Sequence, residues 1–191
     1  VFRFIPARPA LVALLIAMSL AGSLLASDFP AQMNAGKHRL MLNGSGPRTK
    51  FFLELYVAGL YLADSDSNAE EIAAANEPMS IRVKITSRMV TQAKLSESMN
   101  DGFQTVTGGN QGSIQRQIDQ FKGFLAEEVK SGDVFDFVYV PEHGVVINKN
   151  GKFKGVVAGL PFKKALFSIW LSNNPVDANL RQAMLKGRTR R

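Results

Sequence analysis

The apolar period of this chain changes three times along its length, and the order of those periods leaves few folds open. Alternation comes first. Lys37 to Leu42 alternates weakly and predicts a first strand, Asn43 to Pro47 reads as a turn, and Phe51 to Leu62 reads as a long second strand. The odd positions Phe51, Leu53, Leu55 and Val57 form an apolar face. The even positions Phe52, Glu54, Tyr56 and Ala58 form a mixed one. Gly59 marks a bulge or a close approach. Asp64 to Asn76 is a polar connection with a short Ala-rich helix. Met79 to Met89 then sets Ile81, Val83 and Ile85 against Arg82, Lys84 and Thr86, the pattern of a half-buried antiparallel strand.

Helical spacing follows. Thr91 to Val106 places Leu95, Met99, Phe103 and Val106 on one stripe, and residues 108–112 break it. Ser113 is the expected N-cap of the next helix, with Ile114, Ile118, Phe121, Leu125 and Val129 on its stripe and Ser131-Gly132-Asp133 at its end. Strands return at Val134 to Val140, then at Gly144 to Lys149 and Lys152 to Val157, which flank the hairpin signal Asn150-Gly151. Pro161 opens a helix carrying Phe162, Ala165, Leu166, Ile169 and Trp170, which stops at residues 172–175. Asp177 caps a last helix through Leu185, closed by Gly187. Strands, two helices, strands and two helices, without parallel alternation, predict an α+β fold: an antiparallel sheet with helices on one face. A cleft between the two layers is the expected ligand site.

Residues 1–26 read as a secretory signal peptide, leaving 27–191 as one domain. Arg3 and Arg8 form a basic start, Ala10 to Leu25 is uncharged and apolar, and small residues follow. The uncleaved alternative is a membrane anchor, although the apolar run is about 16 residues against roughly 20 for a span. The initial valine is read as a GTG start translated literally. That points to a bacterial gene and to the periplasm or beyond. The chain contains no cysteine. That excludes disulfides, thiolate catalysis, cysteine metal sites and a lipoprotein anchor. The net charge of +7 suits anionic ligands or a membrane surface. Nucleic acid is not expected, because no basic helix is interleaved with aromatics.

Most catalytic signatures fail. Gly44-Ser45-Gly46 completes neither G-x-S-x-G nor G-x-G-x-x-G, since Thr49 holds the last position of the latter. Asp64, Asp66, Asn68 and Glu70 imitate a calcium loop, but Ala69 and Ala75 stand where glycine and glutamate are needed. His38 and His143 have no partner at ligand spacing, so no metal and no cofactor are expected. Asp119 and the pair Glu127, Glu128 read as the wet side of a helix. Arg48 remains. It is either a surface arginine at a hairpin corner, pairing with Glu54, or a forked donor for a carboxylate or phenolate. Tyr56 is either a half-buried strand tyrosine or a second donor. Phe103 and Trp170 are core, and core beneath a cleft is also cleft wall.

The turn Gly44-Ser45-Gly46-Pro47-Arg48, the run Gly59-Leu60-Tyr61-Leu62, the entry Ser131-Gly132-Asp133, the hairpin Asn150-Gly151-Lys152 and the segment Phe162 to Leu171 with Pro175 behind it together resemble the chalcone isomerase-like family over residues 36–187. The resemblance implies an open-faced β-sandwich, a large antiparallel sheet under a layer of helices. It implies that Arg48 matches the arginine that stabilises developing phenolate charge in the cofactor-free ring closure of the plant enzymes. Catalytic members carry a threonine where this chain has Tyr56, and a threonine-methionine pair where it has Ile169-Trp170. Their helical tyrosine and asparagine have no counterpart beyond nearby Asn100. Fatty-acid-binding relatives pair an arginine with a tyrosine, and Arg48 with Tyr56 looks like that pair. The expectation is a secreted, non-catalytic binder of a small apolar anion such as a fatty acid. Arg48 and Tyr56 would hold the charge, and Met99, Asn100, Phe103, Ile169 and Trp170 would line the site. A lyase or isomerase acting through Arg48, or an interaction module with a filled cleft, are the alternatives. A straight strand spans about 26 Å over eight residues, so Arg48 and Tyr56 can share a head group only if the chain turns between them.

Overall fold

The computed structural model describes residues 29–187. Residues 1–26, read from sequence as a signal peptide, and the basic tail residues Arg188, Arg190 and Arg191 lie outside them. Among the described residues, seven strands form one antiparallel sheet whose order across the sheet equals their order in the chain. They are β1 Gln32–Ala35, β2 His38–Lys50, β3 Leu53–Leu62, β4 Met79–Ile85, β5 Val134–Val140, β6 Gly144–Lys149 and β7 Lys152–Val157. The helices are α1 Ala69–Ala74, α2 Gln92–Thr107, α3 Gln115–Phe124, α4 Leu160–Leu171 and α5 Ala178–Met184. The sheet-plus-helix-layer architecture is the one expected. No described helix is long and apolar enough to cross a membrane.

The N-terminal third departs from the sequence reading. Residues 43–47 are not a turn: β2 runs through them, and the chain reverses at Phe51–Phe52. The glycines serve a neighbour instead. A Cβ on Gly44 would stand 2.2 Å from the Ala183 carbonyl oxygen, and one on Gly46 would stand 2.5 Å from the Ala183 Cβ. They let α5 lie against β2. Pro47 is tolerated because β1 pairs only as far as Met41, which leaves this stretch on the sheet edge.

Two register slips shape the β2–β3 pair. The first lies at Asn43. Its buried amide donates to the carbonyls of Asp66 (2.8 Å) and Met184 (2.9 Å), and its oxygen accepts from Ser65 Oγ and the Asp66 amide, both at 3.2 Å. One side chain thereby fastens β2, the loop before α1 and the end of α5. The second slip makes Leu55 an extra residue on β3, because Arg48 pairs with Tyr56 while Thr49 pairs with Glu54. The extra residue inverts the expected faces. Tyr56, Ala58, Leu60 and Leu62 enter the main core, Val57 and Tyr61 belong to a smaller cluster on the opposite face, and Phe51 and Leu53 are exposed.

The remaining elements follow their periods with small corrections. β4 stops at Ile85, because the amides of Thr86 and Ser87 both turn to the Leu55 carbonyl at the bulge. Thr91 caps α2, and Gly108 ends it at φ 59°. Ser113 makes no capping bond and lies in a short 3₁₀ turn. α3 ends at Phe124, not near Val129, although Leu125 and Val129 are still buried. Gly155 admits the Phe124 ring, which a Cβ would meet at 2.2 Å, so the end of α3 covers edge strand β7.

Lys163 is fully buried on α4. Its Nζ donates to the carbonyls of Ile72 (3.0 Å), Ala73 (3.0 Å) and Ala75 (2.8 Å), the unpaired oxygens at the C-terminal end of α1. The rings of Tyr139 and Phe167 lie 5.4 and 5.2 Å from it. Burial lowers its ammonium, with help from the charge of Lys164 and against that of Glu77, from the ordinary 10.5 to about 7.

Two outcomes follow from these buried polar groups. Asn43→Ala strands several buried partners and should cost about 2–4 kcal/mol, read as a lower urea midpoint at unchanged slope. Between pH 7 and 10.5 the unfolded chain holds the Lys163 proton more often than the folded one, so stability should rise as pH rises from 7. Near pH 10 the raised phenols of Tyr56, Tyr61 and Tyr139 impose the opposite slope. Urea melts at pH 7 and pH 9 should show the gain in the parent chain and a smaller gain in Lys163→Met.

Candidate functional site

The Phe51–Phe52 reversal and the Leu55 bulge place Arg48 directly across from Tyr56. The turn that a shared head group requires is therefore present. The Arg48 guanidinium carbon stands 5.5 Å from the centre of the Tyr56 ring, and its Nη1 donates to Ser98 Oγ on α2 at 2.9 Å. Among the described residues, the ion pairs of Glu127, Glu128, Asp133 and Asp136 go to other cations and none reaches Arg48. Glu54, the partner considered from sequence, sits opposite Thr49.

Tyr56 is buried, and its hydroxyl accepts a 3.0 Å hydrogen bond from the indole Nε1 of Trp170. Burial raises its phenol above the ordinary range, while the charge of Arg48 and the indole hydrogen bond pull the other way. The phenol is therefore neutral at physiological pH, and its proton is available to an acceptor.

These groups border a cavity of about 370 Å³, bounded by the β2–β3 hairpin end, Met89–Val90 and the first half of α2. Leu53, Leu55, Val90 and Leu95 give it apolar walls; Arg48, Lys50, Lys94 and Ser98 give it donors; Glu97 and Asp101 are its acids. A second cavity, about 180 Å³, lies behind Arg48 against Ile169 and Val176, so Arg48 stands in the wall between the two. A hollow of about 300 Å³ between α1, α4 and α5 is remote from this site, and Arg181 there already donates to the Leu171 carbonyl at 2.9 Å.

Of the other residues singled out from sequence, Ile169 borders the second cavity and Trp170 reaches the Tyr56 hydroxyl, while the rest lie away from the site. Met99, Phe103 and Trp170 are core. The rings of Phe103, Phe121, Phe137, Phe162 and Trp170 pack with centroids 5.5–6.1 Å apart and fill the deep space between sheet and helices. Gly102 presses α2 onto Ile169, which a Cβ there would meet at 2.9 Å. Asn100 is exposed on α2. Ser98, Lys94, Met89 and the hairpin residues Lys50, Phe51 and Leu53 went unread. Ser98 follows Leu95 by three positions on the α2 stripe, and that was its only signal. Among the described residues, no three His, Cys, Asp or Glu side chains gather as a metal site.

A family model described as chalcone isomerase-like matches residues 21–186. None of the curated proteins matches the chain. Among solved structures, the chain is similar to the crystal structure of an Arabidopsis thaliana fatty-acid binding protein, at 17% identity and a TM-score of 0.64, over 83% of this chain and 91% of that one. At that identity the likeness is one of fold.

Removing the Tyr56 hydroxyl tests the buried pair. Tyr56→Phe leaves the indole N–H of Trp170 without its acceptor and should destabilise the protein by about 1–2 kcal/mol. Trp170 is the only tryptophan, so the intrinsic emission should shift at the same time.

Proposed function

The chain belongs to the chalcone isomerase-like family, and from that premise we propose that it is a non-catalytic binding protein for an apolar anion such as a fatty acid. One observation carries the reading: Arg48 lies against the ring of the neutral Tyr56 at the wall of a cavity that combines apolar walls with cationic donors. An arginine offers two parallel donors to a carboxylate, and the phenol offers a third. The cavity volume is within the range of small-molecule sites. The ligand's tail would lie in this hairpin-end cavity, since the deeper cleft is packed with aromatic rings. The structural neighbour, a fatty-acid binding protein, agrees with the reading in ligand class. Action outside the cytoplasm is part of the proposal and rests on the sequence of residues 1–26.

Ring-closing chemistry is less well supported. The threonine-methionine pair of the catalytic members is replaced here by Ile169 and Trp170, both buried, which removes a hydroxyl that would polarise the ketone.

Calorimetric titration with dodecanoate and with neutral dodecanol tests the assignment. Arg48→Gln should weaken dodecanoate binding by about 10–100-fold, the value of a charge-assisted hydrogen bond, and leave dodecanol nearly unchanged. Equal dodecanoate affinity in both proteins would remove Arg48 from the site. Turnover of a chalcone-type enone by the parent chain, lost in Arg48→Gln, would replace binding by catalysis.

A further inference from the structure

The same turn occurs twice in this sheet, once with residues suited to it and once with residues opposed to it. Lys149 pairs with Lys152 around Asn150–Gly151, at φ 52° and 73°. Lys50 pairs with Leu53 around Phe51–Phe52, at φ 51° and 64°. Both central residues of such a two-residue hairpin turn are left-handed, which Asn and Gly accept and bulky side chains resist. The phenylalanines recover nothing by packing, since Phe51 is 83% exposed and Phe52 102% exposed. Neither backbone conformation nor the core accounts for two aromatic rings at this turn.

Leu53 (47% exposed) and Met89 (51%) extend the rings into one convex apolar knob. Lys50, Arg88 and Lys94 surround it, all exposed, with the Lys50 ammonium 5.7 Å from the Phe51 ring centre. Glu54, Glu97 and Asp101 also lie at this end, so insertion of apolar surface, with charge as a supplement, would dominate binding. We propose that this hairpin tip docks onto an anionic lipid bilayer. Phe51 and Phe52 enter the interfacial layer, and the lysines and arginine meet the head groups.

Area favours a bilayer over a protein partner. Even with the exposed halves of Leu53 and Met89 added to roughly 400 Å² from two phenylalanine rings, the knob falls short of the roughly 800 Å² per partner of a stable interface. A projecting knob needs no complementary pocket in a lipid surface. Lys50, Phe51, Leu53 and Met89 also line the 370 Å³ cavity, so a docked tip holds its mouth against the membrane. The docking is independent of the ligand-binding reading.

The absence of cysteine lets Phe52→Cys carry a single environment-sensitive fluorophore in the full chain. His143→Cys labels the β5–β6 turn at the other end of the strands. With phosphatidylcholine vesicles containing phosphatidylglycerol, the label at position 52 should shift to the blue and be quenched by nitroxide lipids, while that at 143 stays in water. A label in the turn reports the tip itself, whatever residues 1–28 contribute. The double variant Phe51→Asn with Phe52→Gly supplies the residues this turn prefers. It should melt at a higher temperature and bind these vesicles at least roughly tenfold more weakly. A label at 52 that remains in water would overturn the proposal. So would a shift that needs no lipid and grows with protein concentration, which would mean that a second copy covers the tip. Loss of dodecanoate binding in Arg48→Gln with tip insertion intact would separate this inference from the ligand reading.

Discussion

A strand that carries one residue more than its partner cannot keep both neighbours in register, and the mismatch between β2 and β3 organises the site. The extra Leu55 turns Tyr56 inward, beneath Trp170 and opposite Arg48, and frees the Leu55 carbonyl to end β4. Without the slip, Arg48 would pair with Leu55, and Tyr56 would pair with Pro47. The tight reversal four residues away does the rest, folding a separation of about 26 Å of strand into a cross-strand contact.

The order of elements was legible because it is written in local periods. β4, α2 and the β6–β7 hairpin each follow from spacing within about ten residues. What was hidden depends on neighbours remote in the chain. Gly44, Gly46 and Pro47 carry the composition of a turn, yet they are strand residues whose smallness makes room for α5, some 140 positions later. The Leu55 bulge inverted the reading of β3 because alternation assumes an unbroken register. Lys163 stood in a helical run with nothing to mark it as buried. At the site, the chemical identities of Arg48 and Tyr56 were readable, whereas the walls were not. The stripe positions of Met99, Phe103 and Trp170 suggest lining, whereas aromatic packing fills that space.

Buried polar arrangements among the described residues hold this fold without disulfides. Asn43 joins three segments, Lys163 closes the end of α1, and Arg82 makes a two-point ion pair with Asp136 across β4 and β5, at 2.6 and 3.0 Å. Each removes a polar group from water and compensates with nearly complete pairing, the condition under which such groups are tolerated. The hydroxyls of Tyr61 and Ser80 on the outer face lack partners among the described residues, and burial raises the Tyr61 phenol to about 12.

Because strand order in space equals strand order in time, a ribosome or a translocation pore releases this sheet in the sequence in which it assembles. Each new strand can zip onto the edge just completed, with short turns at four junctions and the α1 connection between β3 and β4. Between β4 and β5 the chain makes its long helical excursion through α2 and α3. The two sub-sheets on either side of it meet across that gap at the Arg82–Asp136 pair, the pairing with the largest loop-closure cost in the sheet.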